Sequence, residues 1–520
     1  MQRTAISRRS VLAGAAGLAA GAAVGVGRAG ATPRVAPAAD RVTAITHVTV
    51  IDATGAPAKR DMTVLLRGGR ILAVEPSRRV GALPGAHVVD GRGRYLIPGL
   101  ANMHNHTFDG DAIELPLHLV NGVTTVRDMS ANDDVTRWRR EIEAGTRLGP
   151  RWTIGSPIVD GSPSLWEGLG APYIAVGTAA EGRAAVRAQK DAGADFIKVY
   201  TRLSRASFFA IADEARRQRI PFLGHLSDFV QMTEASDAGL ASIEHLFQVW
   251  YDTSSREDEL RRAITSVPIA GGEYNGWLNR MHPYEYAAAR SYDPHKAAAV
   301  FARLARNGTR VCPTLVLHTF TDMPGDTPMT DPRYAYFPAA TREFWAYALE
   351  LIYRNGRTPE QDARGREIFE RRLRLVHDLD RAGVPLMAGT DNGTAYLMPG
   401  FSLHDELARL SEAGLSNQRV LQTATVEPAR YHGVHDRGTI ERGNVADLVL
   451  LDADPLRDIR NTTRIHSVVV RGQVIDPATR ARMLADVKKA AAAAPPPAAS
   501  PTAARCACSP SPDQPATTNV

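Results

Sequence analysis

The sequence predicts an α/β protein in which a (β/α)8 barrel of the TIM type carries a small β-sandwich domain built from both ends of the chain. In the middle of the chain, helix-like stretches that end in glycine alternate with short β-rich runs, which is typical of a parallel barrel. Alternating apolar and polar runs stand near both ends and predict the second domain. A chain of 520 residues, 44% hydrophobic and 23% charged, has the length and the globular composition for both.

The predicted β-sandwich domain comprises residues 41–96 and 436–480. Its short runs are separated by turn residues such as Gly68 and Gly69, as in β-hairpins. Strands from the two ends of a chain can pair into one domain. The runs are residues 47–51, 62–66, 70–74, 447–451 and 467–472.

The predicted barrel comprises residues 97–435, with its first strand at the junction with the β-sandwich domain. Several of its strands follow an Ala-Gly or Asn-Gly pair, the chemistry needed to end a helix and turn into a strand. The eight predicted strands are residues 95–97, 124–126, 152–155, 196–200, 222–225, 242–245, 310–313 and 386–389.

Two helix starts are marked by side chains that cap them. Ser204 precedes one helical stretch, and Thr358 opens a capping box with Pro359 at the first helical position. The connections 246–310 and 317–386 are far longer than one return helix. We expect their first parts to lie over the C-terminal mouth of the barrel and to shape a substrate pocket.

Six polar residues fall at or near the C-terminal ends of predicted strands, which form the functional end of such a barrel. His104 and His106 are two residues apart, so both side chains point to the same side of an extended backbone. Four imidazoles and one carboxylate form a ligand set suited to Zn, Mn, Fe or Co rather than Ca. The six residues are His104, His106, Lys198, His225, His245 and Asp391.

Over residues 41–475 the chain resembles the amidohydrolase superfamily of metal-dependent hydrolases, because the six residues stand in the family's order on the corresponding strands. Two further segments are similar to the imidazolonepropionase-like and dipeptidase-like branch of that superfamily. The matching segments are residues 96–106, 196–199, 389–391, 424–430 and 438–448, together with the two later histidines.

The resemblance implies a binuclear centre that holds two divalent metal ions, with Zn the first expectation and Mn, Fe or Co the alternatives. His104, His106 and Asp391 would bind the first metal, and His225 and His245 the second. A CO2-derived carbamate on Lys198 would join the two metals, as the strand-four lysine does in the family. A metal-bridging hydroxide would attack the carbonyl carbon, and Asp391 would pass its proton to the leaving amine.

Some of these residues have other interpretations. Lys198 is the clearest case, because a lysine in an apolar strand needs a partner or a modification, and Asp195 or Glu244 would serve as a buried ion-pair partner. Arg127 and Asp128 on the second strand are interpreted as a structural ion pair with each other rather than as catalytic residues. For substrate binding the candidates are Tyr200 and His318, followed by Asp160 and Trp166.

The leading functional hypothesis is an enzyme that cleaves an amide (C–N, peptide-like) bond. Its substrate would be a small molecule such as a dipeptide rather than a standard protein. An arginine near the barrel mouth would then pair with the carboxylate of a dipeptide. The enzymatic alternatives are a lactonase or esterase with the same metals and a mononuclear deaminase, which usually lacks the strand-four lysine. The alternative of another class is a non-catalytic binding protein that retains the fold. The sequence is compatible with a homo-oligomer and does not fix the oligomeric state.

The composition excludes some classes of protein. Net charge is +6, but residues 1–31 hold four arginines and no acid, which leaves 58 basic and 56 acidic side chains in the rest. Such a balance gives no signal for nucleic acid or an anionic membrane. The three cysteines, Cys312, Cys506 and Cys508, exclude a disulfide scaffold and a four-cysteine zinc site.

Both chain ends are predicted to lie outside the folded domains. Residues 1–31 resemble a twin-arginine export signal: Arg8-Arg9 precedes a weakly apolar run, and Ala29-Gly30-Ala31 is a cleavage pattern. This predicts the twin-arginine export machinery as a partner, cleavage near Ala31 and a periplasmic or extracellular location. Residues 489–520, rich in alanine and proline, are predicted to be a disordered tail.

Overall fold

The computed structural model describes residues 41–495, except residues 131, 170, 355 and 356. The predicted export signal therefore lies outside the described residues, and so do Cys506 and Cys508 with most of the predicted tail. No helix of the described part of the chain has the length and apolarity to cross a membrane.

Strands from both ends of the chain share one sheet, in the order β17-β16-β15-β5-β1-β2-β3, with β4 paired to β1. Backbone hydrogen bonds between Ile71 and residues 443–444 curl β3 back towards the segment that leads into β15. The enclosed core includes Val48, Leu66, Leu96 and Leu450, which confirms the predicted β-sandwich class. The strands are β1 (Thr43–Val50), β2 (Lys59–Arg67), β3 (Arg70–Pro76), β4 (His87–Asp90), β5 (Tyr95–Pro98), β15 (Leu448–Leu451), β16 (Ile465–Val470) and β17 (Gln473–Ile475).

The middle of the chain forms the closed parallel barrel that the sequence predicts. Its eighth position is the extended segment 386–392, which bridges Leu386 to Val311 on one side and Asn392 to Asn105 on the other. Met103 N donates to Ala388 O at 2.9 Å, so the first and last strands meet directly. The other barrel strands are β6 (Leu100–Asn105), β7 (Val123–Asp128), β8 (Arg151–Ile154), β11 (Ile197–Val199), β12 (Phe222–Gly224), β13 (Ser242–Glu244) and β14 (Arg310–Cys312), while β9 (Ile158–Gly161) and β10 (Tyr173–Val176) pair beside β11.

The first barrel strand lies later in the chain than predicted. Residues 95–97 belong to β5, which pairs with β15 in the other sheet, and the barrel begins with β6 at Leu100. Gly99 makes the change of sheet: its N–H donates to Asp447 O, and Leu100 N–H then donates to Gly122 O. A Cβ on Gly99 would lie 2.3 Å from Thr124 Oγ1, so glycine is needed at this crossing.

Helices pack around the barrel and, after β13 and β14, fill the two long connections. Ser204 caps α4, and Thr358 caps α12 in a complete capping box with Gln361 and Pro359, as predicted. The helices are α1 (Asp111–Val120), α2 (Asp133–Glu143), α3 (Ala179–Asp191), α4 (Arg205–Gln218), α5 (Met232–Asp237), α6 (Val249–Asp252), α7 (Glu257–Ser266), α8 (Tyr274–Arg290), α9 (Pro294–Asn307), α10 (Leu315–Asp322), α11 (Ala339–Ala348), α12 (Pro359–Arg381), α13 (Phe401–Glu412), α14 (Asn417–Thr423), α15 (Val426–Tyr431) and α16 (Pro477–Ala493).

The last of these helices corrects the predicted start of the tail. Helix α16 continues to Ala493, past Lys489, where disorder was predicted to begin. Its Val487 and Ala491 are buried in a cluster with Leu117 of α1, which supplies the apolar burial that composition alone did not reveal.

Candidate metal centre

The six predicted ligands converge at the C-terminal ends of the barrel strands. His104 and Lys198 lie within strands β6 and β11, His106, His225 and His245 directly follow their strands, and Asp391 lies near the end of the extended segment 386–392. The His245 ring is 4.5 Å from that of His104 and 4.7 Å from that of His225, measured between centroids. Together with His106 and Asp391, these residues surround one end of the barrel.

One half of the cluster has the geometry of a metal site. Oδ1 of Asp391 lies 3.0 Å from Nε2 of His104 and 3.2 Å from Nε2 of His106. These three ligand atoms lie within 4.8 Å of one another, as in the ligand set of a single cation. Although burial opposes ionisation, His104 and His245 hold the pKa of Asp391 well below its ordinary value, so its carboxylate is charged.

Two of the predicted ligands have left-handed backbone conformations, with φ of 65° at His245 and 59° at Asp391. Such a conformation costs about 1–3 kcal/mol in residues other than glycine, and it persists only where surrounding contacts impose it. His245 N donates to Cys312 O and Asp391 N donates to His104 O, each at 2.9 Å. The barrel backbone thus turns both side chains towards the centre.

The histidine rings are oriented by hydrogen bonds on the nitrogen that faces away from the centre. His104 Nδ1 lies 2.7 Å from Glu244 Oε2, and because an ionised carboxylate only accepts, Nδ1 is the donor. His245 Nδ1 lies 2.7 Å from the hydroxyl of Thr314, which donates its own proton to Pro313 O. In both rings Nδ1 is thus the nitrogen held by a partner and Nε2 is the nitrogen that faces the centre, where it would bind metal in its unprotonated form.

Burial favours the same neutral form in the second pair of histidines. Desolvation and neighbouring positive groups hold the pKa of His225 and His245 well below the ordinary value. Neutral imidazole is the state in which histidine binds a cation.

Arg127 and Glu244 form a buried pair that the sequence did not predict. Arg127, interpreted as the partner of Asp128, instead donates to Glu244 Oε1 at 2.7 Å, to the Ser242 hydroxyl at 3.0 Å and to the Met103 carbonyl at 2.6 Å. Burial alone would raise the pKa of Glu244, but Arg127 and His104 hold it well below the ordinary value. Arg127 and Glu244 are 117 residues apart in the chain, so no local pattern signals this pair.

The group His104, Glu244 and Cys312 also has ligand atoms within 4.8 Å of one another, but it does not fit a metal. The facing atoms of His104 and Glu244 already bind each other, and the Arg127 guanidinium contacts the same carboxylate. Burial raises the pKa of the Cys312 thiol, which keeps it protonated.

Lys198 is the unusual residue of the cluster. Its side chain is 1% exposed, and Nζ has no hydrogen-bond partner among the described residues. Burial lowers its pKa to about 8. Neither alternative partner is hydrogen-bonded to it, since Asp195 binds Arg139 and Glu244 binds Arg127 and His104. The Glu244 and Asp391 carboxylates still attract the amine and oppose the fall of its pKa. A buried amine without a hydrogen-bond partner is unusual, because burying such a group is costly.

The centre opens into a cavity with aromatic walls. Tyr200 lines it and stacks on His225 at a centroid distance of 4.0 Å, and Trp166 stands beside Tyr200 at 5.5 Å. Tyr274 and Tyr353 come from the two long connections, as expected of segments over the barrel mouth.

His318 and Asp160 lie elsewhere. His318 is fully buried behind Phe247 and accepts a hydrogen bond from Leu246 N, so it is not among the described residues that line the cavity. Asp160 accepts hydrogen bonds from the backbone of Leu165 and Arg202 and serves the local fold.

The sequence model of the amidohydrolase family matches residues 95–475. The chain belongs to the amidohydrolase family. This confirms the superfamily predicted from the ligand pattern and places the six residues in a family of metal-dependent hydrolases.

Relatives of this amidohydrolase are similar to it over different shares of their length. Imidazolonepropionase of Chloroflexus aggregans (strain MD-66 / DSM 9485) is 35% identical over 89 residues, which are 17% of this chain and 21% of that protein. The structure of a bottromycin amidohydrolase aligns with a TM-score of 0.68 and 25% identity, over 87% of this chain and 92% of that one. A Xaa-Pro dipeptidase aligns with a TM-score of 0.59 and 18% identity, over 84% and 100% of the two chains, and shares the fold.

Proposed function

We propose that this amidohydrolase cleaves an amide bond of a small substrate at a binuclear centre of two divalent metals. The observation that carries the proposal is the Lys198 amine, which is buried beside four histidines and Asp391 and has no hydrogen-bond partner among the described residues. Membership of the amidohydrolase family and the similarity to a bottromycin amidohydrolase support hydrolysis of a C–N bond.

The residues present fit two metals, with zinc the first expectation. His104, His106 and Asp391 would hold one ion, His225 and His245 the other, and a carbamate on Lys198 would join the two. When bound, such a pair lowers the pKa of water and polarises a carbonyl group. The positions of Glu244 and Thr314 support the proposal, because each fixes a ligand ring from behind.

Asp391 is the group placed to move a proton. Its Oδ1 faces the two histidines, while Oδ2 lies 3.3 Å from the Thr394 hydroxyl at the cavity wall. In the proposed reaction the Asp391 carboxylate accepts a proton from the attacking water and delivers it to the leaving nitrogen. Protonation is required because an amide anion is a very poor leaving group.

The same centre would also open a lactone, so the substrate class requires a direct comparison. Dipeptides, N-acyl amino acids and lactones form the panel, assayed after reconstitution with Zn, Mn or Co. Turnover of amides above lactones is expected. A protein that binds metal but turns over no member of the panel would favour the non-catalytic alternative.

Lys198→Ala tests the bridge. We expect the variant to bind less metal and to lose turnover, with partial recovery when bicarbonate or a short carboxylic acid is added. Lys190→Ala removes an exposed lysine of α3 and is the matched control. A Lys198→Ala protein with full metal content and full activity would rule the bridge out.

A further inference from the structure

A second cavity adjoins the first and shares part of its wall. Phe108 and Gly393 line both cavities, and each stands two residues after a predicted metal ligand, His106 and Asp391. The Phe108 ring lies so close to Gly393 that a Cβ there would be 2.2 Å from Phe108 Cε2. The Phe108–Gly393 contact therefore separates the two cavities, and Phe108, which is 46% exposed, is the side chain that a longer substrate bound at the centre would displace to reach the second cavity.

Two carboxyl groups line this second cavity. Asp109 Oδ1 accepts a hydrogen bond from the Thr341 hydroxyl at 3.0 Å. Glu114 is 1% exposed, and its Oε1 accepts from the backbone N–H groups of Phe108 and Asp109, at 3.2 and 3.3 Å. Glu114 thus holds the backbone of Phe108 and Asp109 through Oε1, while Oε2 is buried and has no hydrogen-bond partner among the described residues.

No lysine, arginine or histidine is among the described residues that line this cavity. The nearest imidazole, His118, has Nε2 3.7 Å from Glu114 Oε2, and burial lowers its pKa to about 3, so it is neutral. Burial raises the pKa of Asp109 to about 6 and that of Glu114 above its ordinary value, where Asp109 adds like-charge repulsion. Asp109 and Glu114 therefore have no positively charged partner among the described residues that line the cavity.

The remaining walls suit an apolar stem that carries a positive charge. Phe108, Phe337, Phe344 and Trp345 supply aromatic surface, which binds alkyl groups and attracts cations through the ring faces. An anionic group would face two acids there. The arginine expected to pair with a substrate carboxylate is not among the described lining residues of either cavity.

We propose that this second cavity is a substrate subsite for a primary ammonium group on an apolar or aromatic stem, held by Asp109 and Glu114. The proposal rests on the proposed function for the idea that the bound molecule is a substrate. It narrows the substrate from any small amide to one that is cationic at the end remote from the scissile bond.

Binding alone gives the first test, by calorimetry on the full chain with phenethylamine, 2-phenylethanol and 3-phenylpropionate at neutral pH. Phenethylammonium is expected to bind at least about tenfold more tightly than the alcohol or the carboxylate, the difference that one charge-assisted hydrogen bond supplies. Equal affinity for the three compounds overturns the proposal.

Asp109→Asn and Glu114→Gln keep the shape of each side chain and remove its ability to ionise. Each variant is expected to lose about tenfold in affinity for phenethylammonium and to bind the alcohol unchanged. Asp133→Asn, an exposed acid of α2, is the control. Asp109→Ser is a second variant at the same position, for use if Asp109→Asn unfolds. Unchanged ammonium affinity in the folded variants also overturns the proposal.

Turnover separates this subsite from the proposed function. Three amides with one scissile bond and a remote ammonium, hydroxyl or carboxylate group are compared in the metal-loaded enzyme. A kcat/KM at least about tenfold higher for the ammonium compound supports the subsite. Equal hydrolysis of all three rejects the subsite and leaves the hydrolase intact. Ammonium binding that needs Asp109, without hydrolysis of any amide, keeps the binding site and rejects the proposed function.

Discussion

Glu244 lies between a predicted metal ligand, His104, and a buried arginine, Arg127, inside the barrel. One of its oxygens faces His104 Nδ1, and the other accepts from Arg127. Both partners are fully buried. His104 depends on this carboxylate for the orientation of its ring, and Arg127 depends on it for a neutralising negative charge. Partners of this kind typically account for 10–100-fold in metal affinity.

Glu244→Gln is therefore expected to weaken metal binding by about 10–100-fold and to lower thermal stability. The amide keeps the size of the side chain but leaves the Arg127 guanidinium buried without its anion, at a cost on the order of 3–5 kcal/mol. Competition with a chelator measures the affinity, and thermal unfolding measures the stability. Glu259→Gln, on the exposed face of α7, is the control. Wild-type values for both quantities would show that Glu244 does not position His104.

Asp391→Asn separates metal binding from proton transfer. The amide retains one oxygen for the cation but cannot accept a proton, so we expect metal content to fall modestly and kcat to fall by at least about 10²–10⁴-fold. Metal analysis and steady-state kinetics on the same preparation give both numbers. Near-normal turnover in metal-loaded Asp391→Asn would place the base elsewhere.

Among the elements, the strands of the barrel were the most predictable, because glycine ends the preceding helix and a short apolar run follows. The run from residue 95 to residue 105 misled for a physical reason. Its first part, residues 95–101, is without a polar side chain other than the Tyr95 hydroxyl, and the close approach of Gly99 to Thr124 lies where one sheet ends and the other begins. That contact joins distant parts of the chain, so sequence spacing does not reveal it.

Helix α13 carries an acid that couples stability to pH. Glu406 is fully buried, and its Oε2 accepts from Val316 N at the start of α10. Burial raises the pKa of Glu406 to about 8 from an ordinary value of 4.5. Because the folded-state pKa lies above the unfolded-state value, the stability that its protonated form provides is complete below pH 4.5 and is lost as the pH rises towards 8.

Glu406→Gln keeps an acceptor for Val316 N and cannot ionise. The variant is expected to be close to wild type in stability near pH 5 and more stable by a few kcal/mol at pH 8, at about 1.4 kcal/mol per pKa unit. Chemical unfolding across this pH range measures the difference. Glu412→Gln, exposed at the end of the same helix, should show no such trend. A constant gap between Glu406→Gln and wild type from pH 5 to 8 would contradict the assignment.

For the whole molecule, residue type and order sufficed to predict which six residues meet at the C-terminal end of the barrel, because few other roles place histidines at successive strand ends. Their role as metal ligands stays a prediction. The arrangement around them was not predictable. Arg127 reaches Glu244 across 117 residues, and Asp109 meets Thr341 across 232. Such pairs exist only after the barrel has closed, and neighbouring residues such as Asp128 offer equally good local partners.

The distance in sequence between ligands also bears on how the protein would be exported. His104 and Asp391 meet only in the closed barrel, so a metal site forms only once the chain has folded. A twin-arginine signal exports folded proteins and would let the metal load in the cytoplasm. We therefore expect Arg8→Lys/Arg9→Lys to retain precursor inside the cell, while wild type yields an exported protein that begins near Thr32. Cell fractionation and N-terminal sequencing measure this, with Arg3→Lys as the control. Unchanged export of the double variant would show that Arg8 and Arg9 do not direct it.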